Sequence, residues 1–159
     1  EQLEYKGFVF FGLIKVGDRP FVIEYNCRMG DPETEVVMPR LQSDLVLLLQ
    51  QTAEGRLKEA SLATDPRFAV TVMAVSGGYP GDYQKGFPIE GLNENLNVHV
   101  FHAGTKQQGD HFVTQGGRVL AVTSFGHLAS EAAQNSMQAL ERIRFHNMYF
   151  RRDIGYEFS

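Results

Sequence analysis

The chain has 159 residues, a net charge of −4 and a sequence pI near 5.7, and 43% of its residues are hydrophobic. This composition is typical of a globular protein and argues against a nucleic-acid groove, which requires a basic patch. No apolar run approaches the roughly 20 residues that cross a bilayer, and no secretory signal pattern is present. A single cysteine, Cys27, excludes an intramolecular disulfide. We therefore expect a cytoplasmic protein that binds neither nucleic acid nor membrane.

The first predicted element is a β-hairpin. Residues 7–16 are almost continuously apolar, as in a strand that is covered on both faces. Gly17 and Asp18 supply turn chemistry, and residues 20–28 are expected to return as the antiparallel partner strand.

The returning strand carries an unusual set of polar residues. Alternation places Glu24, Asn26 and Arg28 on one face, whereas the opposite face is apolar and includes Cys27, which we expect to be a small core residue. The oxygen atoms of Glu24 and Asn26 suit a hard divalent cation, and Arg28 can bind a phosphate or carboxylate through two N–H groups. The same alternation also occurs in half-buried strands that bind nothing.

The segment that follows this strand favours a binding site. Residues 29–35 contain a glycine, a proline and three carboxylates, the first of which is Asp31. Carboxylates crowded in so short a segment repel one another unless a cation or a basic group relieves the repulsion. A loop is expected here.

A helix and a domain boundary come next. Leucines recur at helical spacing after residue 40, with Ser43 or Asp44 near the helix start and Gly55 as its stop. The polar segment 56–67, which contains Pro66, is the best candidate for a domain boundary. We place the first domain at residues 1–62 and the second at residues 63–159.

The second domain is expected to be an antiparallel sheet with one long helix against it, which makes the chain α+β. Turns are expected at Gly109-Asp110, in the segment 76–81 and, as a two-residue hairpin, at Gly116-Gly117. The chain end after residue 145 is expected to dock onto its own domain. The predicted strands are residues 68–75, 98–103, 112–115 and 118–124, and the predicted helix is residues 128–143.

Several segments, in order along the chain, resemble the phosphoribosylamine–glycine ligase (glycinamide ribonucleotide synthetase) family of the ATP-grasp superfamily. They are residues 24–35 (EYNCRMGDPETE), 76–83 (SGGYPGDY), 100–105 (VFHAGT), 116–120 (GGRVL) and 152–155 (RDIG). The resemblance is to the last portion of longer enzymes. It implies the end of an ATP-grasp domain followed by a small C-terminal domain, so we expect a C-terminal fragment that is inactive alone.

The resemblance also implies a reaction and a set of site residues. The family joins glycine to 5-phosphoribosylamine in de novo purine biosynthesis, using ATP and Mg²⁺ or Mn²⁺, through a glycyl phosphate intermediate. By this resemblance Glu24 and Asn26 bind the metal, and Asn26 and Arg28 contact the nucleotide phosphates. Arg28 and Asp31 are the expected catalytic residues: Arg28 contacts the transferring phosphoryl or an anionic substrate group, and Asp31 orients the glycine amine or holds Arg28. A monomeric full-length enzyme is favoured.

Two alternatives remain open at this point. The chain can belong to another ATP-grasp ligase or carboxylase, which shares the paired Glu24 and Asn26 but is not expected to carry residues 30–35 and 76–81 together. It can also be a folded piece that binds no nucleotide alone, because half of the site is missing.

Overall fold

The computed structural model describes residues 4–94 and 96–158. It divides into two compact units, Glu1–Asp65 and Pro66–Ser159. The division lies in the polar segment where the sequence places a domain boundary, three residues beyond the predicted position. Within the described residues, no helix has both the length and the apolar character needed to cross a membrane.

The first unit begins with the expected hairpin. Strand β1 (Phe10–Val16) pairs antiparallel with strand β2 (Arg19–Asn26). Gly17 opens the turn with a φ of +60°, a left-handed value that glycine adopts without steric cost.

The prediction that the first hairpin strand is covered on both faces is wrong. Leu13 and Ile14, neighbours on opposite faces of β1, are 57% and 49% exposed, and the sheet has only two strands among the described residues. Cys27 is exposed as well, in the bend that follows β2, so its predicted place in the core is also wrong. The physical reason is the same in both cases, because two strands alone do not enclose an apolar layer.

Two short helices follow. Helix α1 (Thr34–Arg40) takes up the end of the segment that was expected to be a loop. Helix α2 (Leu45–Ala53) starts after Asp44, one of the two predicted positions, and confirms the predicted stop near Gly55, which has a φ of +73°. Leu41 lies outside the helix, where it forms an isolated β-bridge with Thr64.

Removal of the cap at the start of α2 should destabilise the first unit. The Leu47 N–H donates to Asp44 Oδ1 at 2.9 Å, so Asp44→Ala leaves a helix-end donor without its acceptor. We expect a loss of about 1 kcal/mol in the free energy of unfolding, measured by chemical denaturation. Asp44→Asn is the matched control because an asparagine side-chain oxygen can accept the same hydrogen bond and caps helices about as well as aspartate. Equal stability of the two variants would contradict the capping role.

The second unit contains two three-stranded antiparallel sheets and one long helix, which confirms the α+β class. One sheet has the order β3-β8-β5 and the other has the order β4-β7-β6. The elements are β3 (Phe68–Val75), β4 (Pro88–Ile89), β5 (His99–His102), β6 (Thr105–Gln108), β7 (His111–Thr114), β8 (Arg118–Gly126) and α3 (Ala129–Arg142).

Helix α3 packs against β3 and β8 and closes the core of the second unit. Leu140, Ile143 and Val122 are fully buried there. Ser136 is buried on the same helix face, where its hydroxyl donates to the Val70 carbonyl at 2.9 Å. The helix therefore buries an apolar stripe without leaving its one polar member unsatisfied.

The hairpin predicted at Gly116-Gly117 is wrong, because the strands on either side of it belong to different sheets. Strand β7 pairs with β4 and β6, whereas β8 pairs with β3 and β5. The glycines serve another purpose: a Cβ on Gly104 would lie 2.6 Å from Gly116 Cα. Two backbone segments thus approach each other more closely than side chains permit. The turn at Gly109-Asp110 is confirmed, since it joins β6 to β7.

The end of the chain docks onto the second unit, as expected. Val75 and Tyr149 exchange backbone hydrogen bonds of 2.8 and 3.0 Å. An ion pair of 2.9 Å joins Arg152 to Glu141 on α3. The Arg151 guanidinium lowers the pKa of the Asp153 carboxyl, mainly through its side-chain hydrogen bonds.

Candidate functional site

Glu24 and Asn26 lie at the end of β2 and share one face of the hairpin. Glu24 is paired with Gly12, and Asn26 is paired with Phe10. Pairing is regular between these two positions, so alternation of side chains applies and both oxygen-bearing groups leave the strand on the same side. The face shared by Glu24 and Asn26 predicted from the sequence is therefore present in the structure.

A β-bulge precedes this pair of residues. Gly12 pairs with Glu24 and the next residue, Leu13, pairs with Val22, so Ile23 is the extra residue on β2. Because Gly12 and Leu13 point to opposite faces, Val22 lies on the face opposite Glu24. Bulges are common where a strand must redirect a side chain beside a functional site. The bulge at Ile23 therefore lies between the first part of β2 and its polar end, which carries Glu24 and Asn26.

Arg28 does not continue this face. Strand β2 ends at Asn26, and Arg28 lies in the following bend, where its Nη1 donates to the Met29 carbonyl at 2.9 Å. The prediction that alternation extends to Arg28 is wrong for a physical reason, since the two-residue period holds only within the strand. Its side chain is exposed. The assignment of Arg28 to phosphate binding and catalysis stays a prediction.

The acidic loop after β2 folds back toward the same end of the hairpin. Thr34 donates to the Gly30 carbonyl from its backbone N–H (3.1 Å) and from its hydroxyl (2.6 Å), which ties the start of α1 to the buried Gly30. A Cβ on Gly30 would lie 2.8 Å from Glu33 Cδ and 3.0 Å from Phe10 Cε2. Phe10 is the cross-strand partner of Asn26. The Glu33 carboxylate therefore lies near the end of the hairpin where Asn26 is found.

Asp31 is exposed in this loop, between Gly30 and Glu33. Its backbone is held at the end of the hairpin by the hydrogen bonds to Gly30. The proposed contact of Asp31 with a substrate amine, or with Arg28, stays a prediction.

Gly12, which the sequence-based prediction does not include, lies against the side chain of Glu24. The Glu24 side chain lies directly over it: a Cβ at Gly12 would be 2.8 Å from Glu24 Cγ. The sequence contains a signal for this contact, because an isolated glycine within a strand pattern often marks a bulge or a close approach of another segment.

The oxygen donors of Glu24 and Asn26 suit Mg²⁺ better than a metal ion whose ligands all come from the protein. Among residues 4–94 and 96–158, no three or more His, Cys, Asp or Glu side chains are grouped to hold a metal ion. Glu24 contributes a carboxylate and Asn26 an amide oxygen from the same strand face. Mg²⁺ is usually bound by one or two carboxylates and completes its shell with water and substrate phosphates. The pair at the end of β2 matches that pattern.

The segment 76–81 forms a turn and not a helix-backed phosphate cradle. The Tyr79 N–H donates to the Ser76 carbonyl at 3.1 Å, and the Ser76 hydroxyl donates to the Gly116 carbonyl at 2.9 Å. The Tyr79 ring occupies the space beside Gly117, where a Cβ would lie 2.7 Å from Tyr79 Cε2. These contacts give the segment a packing role in the second unit.

Comparison with known proteins identifies the chain. Residues 69–157 match the family model described as "Phosphoribosylglycinamide synthetase, C domain". This chain belongs to that family. The resemblance expected from the motifs in the sequence is thus confirmed, and residues 76–83 and 100–105, which carried part of it, lie within the matched range.

Relatives in the phosphoribosylglycinamide synthetase family extend the similarity to the first unit. A phosphoribosylamine–glycine ligase of Vibrio cholerae is 50% identical over 155 residues, which cover 96% of this chain and 36% of that protein. The ligase of Caldanaerobacter subterraneus subsp. tengcongensis is 41% identical over 98% of this chain and 37% of its own length. The chain therefore spans little more than a third of the relatives that it matches.

A solved structure gives the same result for the fold. The crystal structure of phosphoribosylamine–glycine ligase from Thermotoga maritima matches with a TM-score of 0.77 and 31% sequence identity. The match covers 91% of this chain and 36% of that protein. Both units of the chain thus have counterparts in a member of the family.

Proposed function

We propose that this chain is the part of a phosphoribosylamine–glycine ligase that supplies the metal-binding wall of the ATP site. One observation carries the proposal: Glu24 and Asn26 share a strand face, in a chain that belongs to the family. The incomplete ligand set supports the same view, since the remaining coordination positions suit phosphate oxygens and water.

The proposed reaction has two steps. A glycine carboxylate oxygen attacks the γ-phosphorus of ATP, the bond from that phosphorus to the β–γ bridging oxygen breaks, and ADP leaves. The amine nitrogen of 5-phosphoribosylamine then attacks the acyl carbon of glycyl phosphate. Inorganic phosphate departs with the acyl C–O bond electrons, and the amine loses a proton as glycinamide ribonucleotide forms.

The residues of this chain act in the proposed reaction by position and charge. Glu24 and Asn26 hold Mg²⁺ or Mn²⁺, which when bound neutralises charge on the phosphates. Arg28, exposed in the bend after β2, would turn its guanidinium toward the transferring phosphoryl group or another anion. Asp31, in the loop held by Gly30, would accept hydrogen bonds from the glycine amine or hold Arg28.

The proposed activity is tested with the full-length protein. We expect release of ADP that requires ATP, glycine, 5-phosphoribosylamine and Mg²⁺ together, measured by a coupled assay for ADP, and we expect EDTA to abolish it. ADP release that requires bicarbonate and ignores glycine would instead identify another ATP-grasp enzyme and contradict the proposal. The 159-residue chain serves as the control, and we expect it to turn nothing over.

We infer further that the full-length enzyme is a cytoplasmic monomer that acts on small molecules. The acidic pI of this chain argues against nucleic acid as a partner, its single cysteine suits a reducing compartment, and the monomer rests on the resemblance to the family. Analytical ultracentrifugation of the full-length protein tests the monomer, and a stable dimer at micromolar concentration would contradict it.

A further inference from the structure

Gly12 faces the proposed metal ligand Glu24 across the hairpin. The two residues are direct cross-strand partners, immediately beside the β-bulge. Cross-strand partners on one face have Cβ atoms about 5 Å apart, so the side chain at one position limits the conformations of the other. At Gly12 there is no side chain, and Glu24 extends into the space that a Cβ would otherwise fill.

The requirement for glycine at this position is one of space and not of backbone conformation. Eight of the described glycines, Gly17 and Gly55 among them, have positive φ angles, but Gly12 does not. An alanine can therefore adopt the backbone of Gly12, and the bulge does not need a glycine there. The Cβ of an alanine at this position would clash with Glu24 Cγ, because the two atoms would lie only 2.8 Å apart.

We propose that Gly12 is a positioning residue, because the lack of a side chain there leaves the space that Glu24 occupies in its metal-binding rotamer. The inference rests on the proposed function, because it concerns the same metal site. Non-bonded carbon atoms are in optimal contact at about 3.5–4.0 Å, so a methyl group at position 12 must displace Glu24 Cγ. The side chain then moves toward another staggered χ1 well about 120° away, which carries its carboxylate out of the position that it holds over Gly12.

The alternative role for Gly12 is purely structural. If Gly12 only permits the bulge or the strand pairing, alanine there should lower the stability of the protein together with metal binding. If Gly12 positions Glu24, alanine should weaken metal binding while stability is kept. Stability can even rise, because replacing glycine at a compatible φ reduces the conformational entropy of the unfolded chain.

The test compares three variants of the full-length protein. Gly12→Ala adds the methyl group, Glu24→Gln removes the charged ligand, and Leu13→Ala changes the next residue on β1, which points to the opposite face. Binding of Mn²⁺ in the presence of a non-hydrolysable ATP analogue is measured by electron paramagnetic resonance, and the melting temperature is measured on the same samples.

For Gly12→Ala we expect about tenfold weaker Mn²⁺ binding with an unchanged or raised melting temperature. For Leu13→Ala we expect Mn²⁺ binding equal to that of the unmodified protein. Normal Mn²⁺ binding by Gly12→Ala, together with its loss in Glu24→Gln, would overturn the positioning role and leave the proposed function intact. A joint fall in binding and melting temperature in Gly12→Ala would also overturn it. Normal binding by Glu24→Gln would overturn the proposed function itself.

Discussion

Replacement of Glu24 by glutamine in the full-length protein is expected to lower kcat/KM by about 100-fold or more. Glutamine keeps the size and shape of the side chain but removes its charge. The neutral amide oxygen binds Mg²⁺ more weakly, and less negative charge remains to hold the cation beside the phosphates. Because Asn26 is already neutral, Glu24 is the only charged member of the proposed ligand pair.

The assay for this variant is steady-state release of ADP over a range of Mg²⁺ concentrations. Glu59→Gln is the matched control, since it makes the same chemical change in the same unit at an exposed ion pair with Arg56. We expect the control to behave as the unmodified protein. Near-normal activity of Glu24→Gln at saturating Mg²⁺ would remove Glu24 from the metal site.

The part of the site that could be predicted is the part that follows from local geometry. Alternation along a strand placed Glu24 and Asn26 together, and the structure keeps them on one face because pairing is regular between them. Alternation alone predicts neither the bulge at Ile23 nor the end of the strand before Arg28, although the isolated Gly12 is a signal for a bulge. Both depend on how β1 pairs with β2, and cross-strand register is not encoded in the alternation of one strand.

In the second unit too, elements with their own periodicity could be predicted, whereas contacts between distant segments could not. Helix α3 and strand β3 were predicted because each carries its own periodicity over many residues. The pairing of β7 and β8 was predicted wrongly because two glycines between consecutive strands are typical of a hairpin. Here Gly116 instead meets Gly104 in a close backbone contact. Contacts between segments distant in sequence decided the sheet order, and strands as short as β4 carry little pattern of their own.

Truncation of Leu140 should cost the second unit much of its stability. Leu140 is fully buried in the layer between α3 and the β3-β8-β5 sheet, and Leu140→Ala leaves a cavity that the close-packed neighbours fill only in part. We expect a loss of about 3 kcal/mol in the free energy of unfolding and a fall of more than about 10 °C in the melting temperature. Chemical and thermal denaturation followed by circular dichroism measure both quantities.

Leu128→Ala is the matched control for this prediction, because it makes the same change beside the same helix at a residue that is 64% exposed. A surface substitution of this kind should stay within about 0.5 kcal/mol of the unmodified protein. Equal losses in the two variants would show that burial under α3 does not hold the second unit together. A large loss confined to Leu140→Ala would mean that the helix and the sheet depend on each other, since α3 packs mainly against β3 and β8.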